Sequence, residues 1–277
     1  MEFIRDTIGI EQLVVMLVFF AFIGAEILIS SIRHVKLYEA KDTLANLALG
    51  FATFVTILAL KGVGLTVFGY FHQFALFDID MSRWYSWVAL LLVNDFLFYL
   101  LHRLAHASRF FYAFHQPHHS SGKYNFSVSV RGNFALQFLK YPLWIVMPLL
   151  GFDPWAILLT DSILYLYQMW IHTELIGKLG PLEWVFNTPT HHRVHHSNLP
   201  GNLVKNCGGI FIIWDRLFGT FKASDEKLTY GVPNDVHSSN PVRIAFQEFV
   251  DLVKDLGRPG GLKEKLDLLF GTPRYGK

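Results

Sequence analysis

Residues 101–121, LHRLAHASRFFYAFHQPHHSS, decide the reading of this chain. His102, His106, His115, His118 and His119 fall within eighteen residues, spaced H-x3-H and then H-x2-H-H. A second knot, THHRVHH at 190–196, repeats the H-x2-H-H spacing in His192, His195 and His196, and His172 stands alone between the two in MWIHTE. On a helix, residues four apart share a face, so His102 and His106 can turn two imidazoles toward one ion. The same geometry makes His115, His118 and His119 converge, and again His192, His195 and His196. With His172 this gives nine candidate ligands, more than one metal accepts, so two metals in one cavity is the expectation.

Other residues take supporting places. Asp95, seven positions before His102, lies on the same helical face, and a carboxylate inside a membrane segment needs a partner. The expected partner is the ring N–H of a ligand histidine, which would fix its tautomer, with direct ligation by Asp95 the alternative. His191 adjoins His192 but points about 100° away on a helix, a place for a second-layer or substrate contact. Asn125, Arg131 and Asn206 beside the boxes are candidates for orienting a lipid head group or water, or for ordinary structural hydrogen bonds. His34, His72 and His237 lie outside the clusters and read as loop or interface residues.

Of the 277 residues, 52% are apolar and 17% charged, against about 25% charged in an ordinary soluble domain. The net charge of +2 excludes the strongly basic face of a nucleic-acid binder. Cys207 is the single cysteine, which excludes an intrachain disulfide, a thiolate zinc site and a four-cysteine iron–sulfur cluster. Metals here would be held by nitrogen and oxygen. Imidazole alone leaves zinc, copper, iron and nickel open. The ligand count exceeds the three ligands and a water of a zinc hydrolase, and a dinuclear iron centre activating O2 for a lipid fits count and location better.

The expected fold is all-α, an integral membrane bundle of about four to five membrane segments under a cytoplasmic histidine-rich cap. Residues 13–30 (LVVMLVFFAFIGAEILIS) hold one charge, Glu26, and are long enough to span. No small-residue cleavage site follows, so they read as a retained helix, with Glu26 near its cytoplasmic end. Arg33, Lys36 and Lys41 mark the next loop as cytoplasmic. Residues 44–60 make a second crossing with a bent or interfacial continuation to 77, and residues 84–101 a third. Residues 134–150 and 155–171 form a hairpin around Gly151–Pro154, returning His172 to the side of His102. After Gly177 the chain turns more polar and caps the site. Val242, Phe246, Phe249, Val250, Val253 and Leu256 recur at helical spacing, as in ordinary packing or an interfacial helix. One domain is expected over 1–277, with its histidine core at about 95–231.

At these residues the sequence resembles the fatty acid hydroxylase/sterol desaturase superfamily of membrane histidine-box di-iron oxygenases, over about half the chain. DFLFYLLHRLAH looks like its first histidine box, HQPHHSSGKYNFSVSVR its second, and HHRVHH followed by NCGGIFIIWDRLFGTF its last. YQMWIHTELIGKLGPLEWVFNTPTHHRVHH looks most like the alkylglycerol monooxygenase branch and its bacterial relatives. The resemblance implies that the nine histidines bind two Fe ions and that O2 hydroxylates a C–H bond of a fatty acyl, ether lipid or sterol-like substrate. It places the site on the cytoplasmic face of a bacterial inner membrane, or of the endoplasmic reticulum in a eukaryote. The chain departs from its relatives at Gly122, where they often carry an acid, and at 204–208, where D-x-N-Y-G is replaced by Val204, Lys205, Asn206, Cys207 and Gly208.

No H-P-G-G haem signature and no G-x-G-x-x-G occurs, so electrons are expected from a separate reductase, ferredoxin or cytochrome, or from a reduced pterin if the resemblance extends to cofactor. The rival readings are a desaturase with the same centre, a non-redox zinc-binding membrane protein and, more weakly, a transporter. Sequence leaves the oligomeric state open.

Overall fold

The computed structural model describes residues 2–202, 204–223, 226–232 and 238–273, with the side chains of residues 2–12 outside the description. His237 therefore lies outside the described residues. The described residues are helical and irregular, with two isolated bridges, Phe186 to Phe211 and Ser197 to Tyr230, and no strand.

Three helices are long and apolar enough to cross a membrane: α1, Glu2–Ile32, through its described stretch Leu13–Ile32; α2, Ala40–His72; and α3, Trp84–Ala107. Their apolar side chains point largely outward, as expected where the surrounding solvent is lipid. Leu17, Leu28, Leu44, Phe51 and Trp84 are all exposed. The second crossing differs from expectation. Residues 61–72 bring no break, and α2 runs as one helix of 33 residues through Lys61, Gly62 and Gly64. Gly64 lets α2 approach the hairpin closely, since a Cβ there would sit 2.5 Å from Cε1 of Tyr141.

The helices of the hairpin are shorter than the three long ones. The hairpin follows the cap helix α4, Arg109–His119, in the chain, and its first limb is divided in two: α5, Leu136–Trp144, and α6, Val146–Leu150, carrying Pro142 and Pro148. Its second limb is α7, Pro154–Trp170, started by Asp153, whose carboxylate accepts from the amides of Trp155 and Ala156. The four to five expected segments thus resolve into three long helices and two shorter limbs. Phe68, Leu90, Leu97, Trp144, Met147 and Ile157 form the main apolar core between α2, α3 and the hairpin.

Gly151 closes the hairpin at φ +104°, and a Cβ there would overlap the Phe77 carbonyl oxygen. Left-handed strain and the backbone clash add, so Gly151→Ala should destabilise the fold by about 3 kcal/mol. Reversible unfolding in detergent measures it, and an unchanged transition would contradict the packing described for this turn.

The cap contains α4; α8, Pro189–His196; the short α9, Ile213–Leu217; and two helices near the end, α10, Pro241–Leu256, and α11, Leu262–Phe270. Buried polar contacts fasten it to the bundle at the end where α1 and α3 finish and α2 begins. Glu26, six residues before the end of α1, is 1% exposed, and it accepts from Tyr38 Oη at 2.5 Å, the Phe126 amide at 2.7 Å and the Thr173 hydroxyl. Three donors meet the cost of an acid in a membrane helix and tie α1 to the residue after His172.

Candidate metal centre

The nine histidines come together from α3, α4, the end of α7 and α8. Ring nitrogens of His102, His106, His115, His119 and His195 form one group, and those of His118, His172, His192 and His196 another, each within 4.8 Å of one another. The groups abut: the rings of His119 and His196 stack at 4.3 Å and those of His192 and His195 at 5.0 Å. The expected convergence within each H-x2-H-H box is therefore divided. His115 with His119, and His192 with His196, are i, i+4 pairs that keep to one group. His118 and His195, three positions along and about 60° round from the first of each pair, cross to the other. Each box thus serves both groups.

The rings are held from behind by backbone carbonyls. Nδ1 of His102 lies 2.8 Å from the Cys207 carbonyl oxygen, Nδ1 of His195 2.8 Å from that of Lys205, and Nδ1 of His172 2.6 Å from that of Gln168. A carbonyl only accepts, so each Nδ1 carries the proton and each Nε2 turns a lone pair into the group. Inside, Nε2 of His102 stands 2.9 Å from Nε2 of His115, and Nε2 of His172 3.0 Å from Nε2 of His192. Nε2 of His195 and of His196 is buried with no protein partner. Burial, reinforced by neighbouring histidines, holds His115, His118, His119, His192, His195 and His196 well below the usual imidazole range, and burial puts His172 at about 3. Neutral imidazoles with unprotonated, inward nitrogens are ligand donors. This donor set, all nitrogen, is compatible with transition-metal binding and fits iron or zinc.

Asp95 does not orient a histidine and belongs to neither group. Its carboxylate accepts from the amides of Ile210 at 2.5 Å and Phe211 at 3.1 Å and from Trp214 Nε1 at 2.8 Å. Asp215, which sequence reasoning passed over within WDRLFGTF, accepts from the amides of Cys207 and Gly208 and from the Thr220 hydroxyl. Two buried carboxylates thus clamp loop 205–211, whose carbonyls hold His102 and His195. Histidine orientation reaches Asp95 through the loop backbone, which spacing along one helix cannot show.

The other supporting candidates make contacts within the protein. Asn206, at φ +53°, donates to the carbonyls of His191 and Lys222 and accepts from the Lys222 amide. Asn125 donates to the Leu37 carbonyl and accepts from the amide and hydroxyl of Ser127. Arg131, 1% exposed, bonds the Pro117 carbonyl, Ser120, Asn46 and Asp42, which fixes the end of α4 bearing His118 and His119. The ring of His191 packs on Phe221 at 5.3 Å, apart from both groups. Tyr124, also missed, stacks on His172 and Tyr230 and donates to the Ile171 carbonyl; its place inside the second box was the available signal.

The departures from the related sequences are absorbed by backbone. A Cβ at Gly122 would meet nothing within 4 Å. Lys205 and Cys207 serve the site through their carbonyls, which every residue type carries. Cys207 is fully buried, and burial pushes its thiol well above the ordinary value. Maleimide should leave it unlabelled in the folded protein and label it fully in denaturant, as mass spectrometry would record; rapid labelling of native protein would contradict this burial.

A helical membrane bundle closed by a histidine-lined cap defines the class. The family described as Fatty acid hydroxylase matches residues 87–220, just under half of the chain, in support of the fatty acid hydroxylase superfamily. The chain is 34% identical over 266 residues to alkylglycerol monooxygenase of Xenopus tropicalis, covering 93% of this chain and 58% of that protein. It is 36% identical over 240 residues to alkylglycerol monooxygenase of Homo sapiens, covering 85% and 53%. Ornithine lipid hydroxylase of Rhizobium tropici is 33% identical over 132 residues, 47% of this chain and 40% of that protein. The chain spans about half the length of the alkylglycerol monooxygenases it matches. No solved structure matches it.

Proposed function

We propose that this chain is a membrane monooxygenase that hydroxylates a C–H bond of a lipid, using two iron ions, O2 and electrons supplied from outside the chain. The observation that carries the reading is the gathering of nine histidines into adjoining groups of five and four, all with nitrogen donors. The relatives support its lipid side, since those matched are named alkylglycerol monooxygenase and ornithine lipid hydroxylase. Alkylglycerol ether lipids are therefore the first substrates to offer.

His102, His106, His115, His119 and His195 would hold one ion, and His118, His172, His192 and His196 the other. Bound iron would supply the O2 activation and oxidising power that side chains lack. One oxygen atom enters the C–H bond and the other leaves as water, with two electrons and two protons taken up. The chain's own part is positional. The carbonyls of Cys207, Lys205 and Gln168 fix the histidine tautomers, the clamped loop and Arg131 fix the ring positions, and the burial of the groups excludes bulk water. The apolar flanks of α1, α2 and α3 let a lipid reach the site's end of the bundle from the side. The electron donor would be a ferredoxin, cytochrome or reductase, or a reduced pterin. The site would face the cytoplasm, on the side of Arg33, Lys36 and Lys41.

Metal analysis of the purified protein, followed by O2 uptake and lipid mass spectrometry with added reductant, tests this. Iron in the chain and a lipid product gaining one oxygen atom are expected. A product lacking two hydrogens would instead make the chain a desaturase. Two zinc ions with no O2 uptake would sink the oxygenase reading.

A further inference from the structure

The sequence ends in two helices that the histidine centre does not use. On α10, Val242, Phe246, Val250 and Val253 fall within about 80° of one another at 100° per residue, and Val242 and Val253 are 66% and 67% exposed. On α11, Leu262, Leu266 and Phe270 occupy a stripe of the same width, and Leu262 is 76% exposed. Phe246, Val250, Leu266 and Phe270 are also exposed, so both stripes stay open along their length. Arg243 and Lys254 flank the stripe of α10, and Lys263 flanks that of α11, next round the helix in each case.

The opposite face of α10 fixes where it lies. Ile244 and Ala245 pack with Ala45 and Leu49 in the opening turns of the membrane helix α2. Asn133 donates to the Ala245 carbonyl, and Phe246 meets Phe134 at 6.1 Å, just before the hairpin limb α5. Phe249 packs on Phe114 of α4 at 4.7 Å, and Arg109 of α4 bonds Glu248 and Asp255, each at 2.7 Å. The exposed stripe is therefore continuous with the lipid-facing surface of the bundle, whose Leu44 and Phe138 are 66% and 56% exposed nearby. Its level is the end of α2 where the histidine cap begins.

We infer that α10 and α11 lie in the plane of the membrane, with their apolar stripes sunk into the headgroup–acyl boundary of the bilayer that α1–α3 cross. An apolar stripe flanked by basic residues is the pattern of helices lying in an interface, where Lys and Arg bury their stems and leave the charge among headgroups. Continuity with the spanning helices favours lipid over a second copy or a protein partner. A consequence is that α4, carrying His115, His118 and His119, is braced by a helix seated on lipid, so the centre is held against the bilayer surface.

Single cysteines test this in the full chain reconstituted into nanodiscs, because the native Cys207 is fully buried. Val253→Cys and Leu266→Cys, on the stripes, are each labelled with an environment-sensitive fluorophore, as are Lys254→Cys and Lys263→Cys beside them. The stripe positions should show blue-shifted emission and strong loss of emission with headgroup-level nitroxide lipids, while the lysine positions are quenched mainly by aqueous iodide. Equal iodide quenching at all four positions would overturn the inference. So would energy transfer between labelled copies that outweighs lipid quenching, since a second copy would then cover the stripe. Should Val253→Cys lose its fold, Leu262→Cys gives the same reading at the exposed start of α11. These readouts do not depend on turnover, so they stand or fall separately from the oxygenase assignment.

Discussion

His195→Ala should abolish lipid oxidation and lower metal bound to the five-histidine group by more than a hundredfold. Loss of residues that merely orient a metal ligand costs about 10- to 100-fold in affinity, and His195 is itself a proposed ligand. Its Nδ1 meets the Lys205 carbonyl, and its buried Nε2 has no protein partner to lose. The truncation also leaves the Lys205 carbonyl without its donor, at about 1–3 kcal/mol if water does not replace the ring. His118→Ala should act equally strongly on the other group, because that histidine crosses from its own box to join His172, His192 and His196. His34→Ala, at the exposed end of α1, should change neither metal content nor turnover. Metal per chain and turnover with added reductant are the measurements. Full metal and full activity in His195→Ala or His118→Ala would overturn the ligand assignment.

Asp95→Ala should destabilise the protein by about 3–5 kcal/mol and weaken metal binding without touching a single histidine. The carboxylate satisfies the amides of Ile210 and Phe211 and the indole of Trp214, and it is fully buried. Removing it strands those three donors, each costing about 1–3 kcal/mol when unsatisfied and less where water enters. The released loop carries the carbonyls of Lys205 and Cys207, so His195 and His102 lose their tautomer lock, and a further 10- to 100-fold loss in metal affinity follows. Asp95→Asn should behave almost as badly, because its NH2 group would face donors. Unfolding in detergent and metal titration check both variants. Tight metal binding with a freed loop would show that the carbonyls do not set the rings.

How much was legible beforehand depended on the range of the interaction. The three long helices were readable because about 20 apolar residues are needed to cross a bilayer, whatever they pack against. The hairpin was readable as apolar runs about a turn. Its first limb divides into α5 and α6, which carry Pro142 and Pro148, residues with no amide to donate. The continuous course of α2 was not readable, since Gly62 and Gly64 look like breaks until Tyr141 is seen filling the groove over Gly64. Glu26 was visible as a charge in a membrane run, but its three donors come from positions 38, 126 and 173.

The histidine spacing by itself fixed which residues can face one another, because the i, i+4 geometry of a helix is local and independent of context. It named all nine residues that meet and excluded thiolate chemistry, since the chain has one cysteine. Only the tertiary structure decided how the nine divide, sending His118 and His195 across to the group opposite their own boxes. It alone showed that Asp95 and Asp215 work through loop 205–211 and that Asn125, Arg131 and Asn206 are fully engaged as braces. These assignments rest on hydrogen bonds between atoms distant in sequence. Many end on backbone amides and carbonyls, which every residue carries and no sequence pattern marks.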